Sequence, residues 1–216
     1  DGAERAGEAA RMTTLECFFD CSSPWTYLAF EAIQPVAARH GVAVAWRPIL
    51  VGGVFNAVNP SVYEQRERPV PAKARYHAKD LADWARLSGL RIGSPPVFPV
   101  NSVKVMRGAL WALDHDCLVP YARAFFEAYW GELRDISDDA VIRDVLGALE
   151  LPAEEILAAA ADPAYKDRLR ANTEELVARG GFGSPTFFVN GDDLYFGNDR
   201  VPLVDAALAR AREAAR

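Results

Sequence analysis

The sequence predicts an α/β fold in which a small sheet is interrupted by a long block of helices, and three observations predict it. Two short apolar runs enclose a well-punctuated helical pattern near the start. Helical patterns without a fixed repeat period then fill the middle of the chain. Two more strand-like runs and a last amphipathic helix close it, giving the order βαβ, helices, ββα.

Each element has its own signal. Residues 13–20 are a short apolar, aromatic run that reads as a buried strand. A helix follows, with a serine cap, Pro24 at its first position, Gly41 as its stop and Pro35 inside it, where a kink is expected. The run 42–50 is the second strand, ended by Arg47-Pro48, and the short joints imply a parallel pair with a right-handed crossover. Residues 51–70, rich in Gly, Pro and Asn, read as a loop. Helices are expected after it, up to Gly89, from an Asn101 cap, after Pro120, over 137–150 and 152–161, and from an Asp162 cap to Gly180. Asn190-Gly191-Asp192 joins two short strands as a hairpin. The closing helix, roughly 201–214, carries Val201, Leu203, Val204 and Leu208 on its apolar face. The organisation is a discontinuous sheet domain, 13–52 and 181–215, with a helical insertion over 60–180 and a disordered leader or tag over 1–12.

Composition excludes several classes of function. The chain has 216 residues, half of them hydrophobic, which suffices for a core without disulfides or metals. A formal net charge of −6 with no basic run argues against a nucleic-acid surface. Cys17, Cys21 and Cys117 form neither a CxxC pair nor an even secreted framework, and three scattered histidines give zinc no support. No apolar run reaches the roughly 20 residues that span a bilayer. The chain therefore reads as cytoplasmic and reduced, with a small molecule as its partner.

Three places could carry chemistry. Ser23-Pro24-Trp25-Thr26 stands at the strand-to-helix junction, beyond the C-terminal edge of a parallel strand and against a helix N-terminus that favours an anion. The plainer reading is that Ser23 or Ser22 only caps the helix. Gly183-Ser184-Pro185-Thr186 enters a strand; a cis bond at Pro185 would turn the Ser184 backbone outward to pair with an extended peptide, whereas an edge proline would do nothing. Gly197-Asn198-Asp199-Arg200 opens the last helix as a cap, or holds a carboxylate on helix N–H groups while Asp199 holds an ammonium. Asn59 and Lys73, in or beside the long loop, are by themselves solvated polar residues. The tryptophans 25, 84, 111 and 130 suit a core more often than a binding box. Cys17 packs inside its strand, and Cys21 is near enough to the junction to be reactive.

Together these motifs carry a resemblance. Phe18 to Leu28 (FFDCSSPWTYL), Tyr76 to Leu87, Val97 to Asn101, Gly181 to Thr186 and Phe196 to Arg200 resemble the 2-hydroxychromene-2-carboxylate isomerases and the kappa-class glutathione transferases, DsbA-like members of the thioredoxin superfamily. The likeness runs over about residues 14–212 and implies a thioredoxin-like fold and glutathione as cofactor. It implies that the Ser23 hydroxyl supports the glutathione thiolate, with Trp25 in the same turn. Asn59 and Lys73 would touch glutathione, Ser184 before cis-Pro185 would pair with its cysteinyl unit, and Asn198 and Asp199 would hold its γ-glutamyl end. A dithiol cycle is excluded, because Ser-Pro-Trp-Thr replaces Cys-Pro-x-Cys.

The resemblance further implies an isomerase: thiolate adds to an unsaturated carbonyl, the resulting single bond rotates, and thiolate leaves to restore the alkene. Aromatic residues of the helices would wall the acceptor pocket. The alternatives are a transferase or peroxidase acting on electrophiles with the same residues, a thiol-binding scaffold, and a redox role for Cys21. No lysine lies between Arg47 and Lys73 to meet a substrate carboxylate, so Arg66, Arg68 and Arg107 stand as substitutes. Related proteins are dimers, and a homodimer is expected.

Overall fold

A computed structural model describes residues 12–214; the expected leader, apart from Met12, lies outside them. β1 (Leu15–Phe19), α1 (Pro24–His40) and β2 (Val44–Pro48) form the opening unit. A helical block follows: α2 (Val51–Val58), α3 (Ser61–Glu67), α4 (Pro71–Ser88), α5 (Val103–Asp114), α6 (Leu118–Phe126), α7 (Asp139–Ala148), α8 (Ala153–Ala161) and α9 (Pro163–Ala178). β3 (Thr186–Val189), β4 (Asp193–Phe196), a 3₁₀ turn at Asn198–Arg200 and α10 (Val201–Ala214) complete the chain.

The sheet order is β2-β1-β3-β4. β1 pairs in parallel with β2, Leu15 facing Val44, and antiparallel with β3, Leu15 facing Val189. The hairpin β3–β4 turns at Asn190 and Gly191, both at positive φ, as a tight primed turn requires. The central strands β1 and β3 are almost wholly buried because both faces are covered. One face packs on α1 and α10 in the main core, where Phe30 lies 4.9 Å from the Trp46 ring and 5.2 Å from Phe126. On the other face Phe18, Ile49, Val54, Leu176 and Phe188 form a second cluster under α2 and α9.

α5 is the axis of the helical block. It buries Val105, Met106, Ala109, Leu110, Trp111 and Ala112, and Gly108 lets Tyr121 come so close that an added Cβ would stand 2.2 Å from its hydroxyl. That hydroxyl donates to the Val105 carbonyl at 2.8 Å. α6 continues into a π-helical turn, Glu127–Gly131, which buries Tyr129 and Trp130.

The structure corrects the sequence reading in two places. The expected loop 51–70 folds as α2 and α3, since the Val51 N–H finds an acceptor on Asp20 and Val54 finds the second core cluster. Leu203 is half exposed, so the buried face of α10 is Val201, Val204, Ala207 and Leu208.

Candidate active site

The C-terminal end of β1 carries the junction that sequence singled out. Ser23 is the N-cap of α1: it has extended backbone, its Oγ accepts from the Thr26 N–H at 3.2 Å, and Pro24 fills the first helical position. The capping role does not use up the hydroxyl, which also donates to the Ser184 carbonyl at 3.5 Å. Ser23 is partly exposed at the mouth of a cavity, with the free amides of the helix N-terminus beside it.

Beneath it lies a buried polar layer that sequence reasoning missed. Asp20 directly follows β1 and is 1% exposed. Its Oδ1 accepts from the Ser22 N–H at 2.9 Å, and its Oδ2 from the Val51 N–H at 2.9 Å and the Ser102 hydroxyl at 3.1 Å. One carboxylate thus ties the α1 turn to the N-termini of α2 and α5. Burial pushes its pKa up, against the pull of the Val51, Ser22 and Ser102 donors. The Asp20 N–H in turn donates to Ser184 Oγ at 3.1 Å, and that oxygen lies 2.7 Å from the buried Thr26 hydroxyl. The only local signal for Asp20 was an acid placed directly after an apolar strand, which also reads as a turn residue.

Opposite Ser23 stands the Ser184-Pro185 segment, whose peptide bond is cis, as is Phe98-Pro99. The Ser184 side chain is fixed inward by Asp20 and Thr26, and its N–H has no partner among the described residues. Gly197 precedes the 3₁₀ turn at φ 103°, and a Cβ there would stand 2.8 Å from Asp199 Oδ1. Glycine is therefore required to place Asn198, buried, and Asp199, open to solvent, at the start of α10.

These segments open into one cavity of about 1070 Å³. Ser23, Trp25, Asn59, Ser184, Pro185, Asn198 and Asp199 all line it. Lys73 does not; it is exposed on the first turn of α4. Asn59 caps the C-terminus of α2 and donates its side-chain amide to the Phe182 carbonyl at 3.2 Å. Away from Ser23 the lining becomes apolar and aromatic, with Phe55, Trp84, Phe98 and Trp130, and includes Arg66 and His77.

The thiols stand apart from this chemistry. Cys21 is fully buried; burial first, and the Asp20 charge second, push its pKa well up, so the redox role considered for it has no accessible thiolate. Cys17 is likewise buried and shifted up by desolvation. Among the described residues no cluster of three or more His, Cys, Asp or Glu side chains could hold a metal ion, and no helix is long and apolar enough to cross a membrane.

Comparison with known proteins bears on the family and the fold. The DSBA-like thioredoxin domain model matches residues 14–209. The chain is 30% identical to the 2-hydroxychromene-2-carboxylate isomerase of Pseudomonas putida over 207 residues, covering 91% of this chain and 94% of that protein. It is 26% identical to glutathione S-transferase kappa 1 of Caenorhabditis elegans over 211 residues, 90% of each chain. A solved 2-hydroxychromene-2-carboxylate isomerase superposes with a TM-score of 0.79 at 26% identity, covering 94% of this chain and 98% of that one. With its four-stranded sheet and helical block, the chain belongs to the DSBA-like thioredoxin domain family, with 2-hydroxychromene-2-carboxylate isomerases and kappa-class glutathione transferases among its relatives.

Proposed function

We propose that this protein is a glutathione-dependent isomerase of an aromatic, unsaturated oxo acid of the 2-hydroxychromene-2-carboxylate kind. The observation that carries the reading is a hydroxyl, Ser23, at a helix N-terminus, in a cavity that also gathers the Ser184 backbone, Asn198 and Asp199. The fit to glutathione is chemical. The unpartnered Ser184 N–H suits the backbone of an extended γ-glutamyl-cysteinyl unit. The free amides at Asn198 and Asp199 suit a carboxylate, and the Asp199 side chain suits an ammonium. Asn59 and Trp25 flank the same half of the cavity.

When bound, glutathione supplies a thiolate able to add reversibly to an unsaturated carbonyl. The residues of the chain create the conditions for that thiolate. The Ser23 hydroxyl, turning its one proton away from the long contact with the Ser184 carbonyl, donates a hydrogen bond to an anion placed before it, and the positive end of α1 lowers the cost of its charge. Ser184, locked by Asp20 and Thr26, keeps the thiol-bearing unit against Ser23. The aromatic half of the cavity holds a flat acceptor and keeps water from it. The volume supports two ligands together, since it reaches the top of the range of about 300–1,000 Å³ typical for one drug-sized ligand.

The test is an ultraviolet pH titration of glutathione on excess protein, wild type against Ser23→Ala. The thiolate band is expected at least about one pH unit below the ordinary thiol value of about 8.5, and to return toward it in the variant. An unshifted thiol in both proteins sinks the reading. The kappa-class relatives favour a second reading, conjugation to an electrophile. Isomerisation leaves the glutathione concentration constant, whereas conjugation consumes one molecule per turnover.

A further inference from the structure

Outside the polar layer, the cavity holds one feature that glutathione binding does not use. Its acidic and basic lining residues other than histidine, among those described, are Asp20, Arg66, Asp80 and Asp199. Arg66 is thus the single fixed cation in an otherwise acidic lining. It sits near the end of α3, a helix with no buried residue, so it serves no evident packing role. Its guanidinium carbon lies 5.7 Å from the Phe55 ring centroid and 5.3 Å from that of Phe98. Yet it makes no ion pair and no side-chain hydrogen bond among the described residues, although Glu64 and Glu67 share its helix.

The other two arginines that the sequence offered are placed differently. Arg107 donates to the Ala160 carbonyl at 2.9 Å and lines a separate cavity of about 470 Å³. Arg68 caps the C-terminus of α3 and is not part of the large cavity's lining.

We propose that Arg66 is the specificity-determining residue of the acceptor half of the cavity, the anchor for a carboxylate carried by a flat, conjugated substrate. A guanidinium near two rings is held by cation–π attraction, with N–H groups free to accept a carboxylate in a two-point contact. Phe98 lies 6.3 Å from Trp130, so the same wall offers aromatic surface to the body of the ligand. The site therefore selects aromatic acids over neutral electrophiles of the same shape. The inference rests on the glutathione reading only for what the bound acid then undergoes.

The experiment compares trans-cinnamate with trans-cinnamamide, which differ in charge but hardly in shape, by quenching of tryptophan fluorescence. Wild type, Arg66→Met and Arg66→Lys are each titrated with and without glutathione. Wild type is expected to prefer the acid by about tenfold or more, the worth of a charged hydrogen-bonded contact. Arg66→Met is expected to lose that preference while binding the amide within about twofold of wild type, and Arg66→Lys to keep part of it. Equal binding of acid and amide by wild type, or a preference that survives Arg66→Met, overturns the proposal. Because Arg66 is exposed, a circular dichroism spectrum matching wild type is expected of each variant. The thiolate titration reports on the other reading: a preference for the acid without a thiolate shift upholds the Arg66 anchor and rejects glutathione chemistry.

Discussion

The two halves of the cavity are built in opposite ways. On the sheet side, Asp20, Thr26, Ser102, Ser184 and Asn198 are each less than one-tenth exposed, and the first four are joined by hydrogen bonds between segments far apart in sequence. On the helical side, α3 buries nothing and the long α4 buries only Ala85, while Arg66 and Phe98 stand open to solvent. A side built from satisfied buried polar groups has one arrangement, because any other leaves donors unpaired. A side built from exposed residues repacks at little cost. Under the proposed function the difference is a division of labour: the rigid half suits glutathione, which never changes, and the open half suits the acceptor, which sets specificity.

The largest effect that sharpens this contrast is expected from Asp20→Leu. The change leaves the Ser22 N–H, the Val51 N–H and the Ser102 hydroxyl without their acceptor. At about 1–3 kcal/mol for the buried Ser102 hydroxyl, with less for the two partly buried N–H groups, a loss of about 2–3 kcal/mol is expected in urea denaturation. A loss below about 1 kcal/mol would break the comparison.

Gly197→Ala comes next. Its positive φ and the 2.8 Å approach to Asp199 predict about 1 kcal/mol of destabilisation and glutathione binding weaker by about tenfold in calorimetry. An unchanged affinity would detach Asp199 from the ligand.

A third, smaller effect concerns pH. The raised pKa of Asp20 means that its ionisation opposes folding: its contribution is full below the unfolded value of 3.8 and declines as pH rises through the higher folded value. Glu16 has the opposite sign. A hydrogen bond from Arg179 leads the causes that hold it low, so its contribution is present above 4.5 and is lost as pH falls through its lower folded value. In denaturation series from pH 3 to 8, the gap between wild type and Glu16→Gln should close on the acid side. The smallest effect is expected from Gln65→Ala, an exposed α3 residue in the lining of the large cavity, within about 0.5 kcal/mol in stability. It should shift the KM of the acceptor severalfold and leave glutathione binding alone, as judged by steady-state kinetics and calorimetry.

What was legible in the sequence was whatever the chain announces locally. The Ser23 cap, Pro24, the left-handed Gly41 stop and the Asn190-Gly191 turn each act within a few residues, and they set the strand and helix order. The helix α2 was not legible because its capping carboxylate, Asp20, comes from another strand, and only Val54 of its eight residues is buried. Leu203 was misplaced because the α10 face is set by the sheet it meets. Ser23, Ser184 and Asn198 could be named from their motifs. That their donors converge with the aromatic wall, that Lys73 stays outside, and that Arg66 rather than Arg68 or Arg107 enters, depends on how α3 and α4 are carried over the sheet.

One feature of the sheet also has a bearing on how the molecule comes into being. β1 is central, yet only its β2 neighbour is nearby in the chain; β3 is synthesised after the entire helical block. At typical ribosomal rates that interval is on the order of ten seconds, during which one edge of β1 has no strand to bond. Phe18 and Phe19 belong to that strand and are wholly buried in the finished protein. The nascent chain therefore carries a sticky, half-paired ribbon through most of its synthesis, the kind of exposure that invites aggregation or a chaperone. Since β3 directly follows the Ser184 segment, the strand that ends this exposure is the one that completes the buried polar side of the cavity, and the sheet and the cavity are finished in the same event.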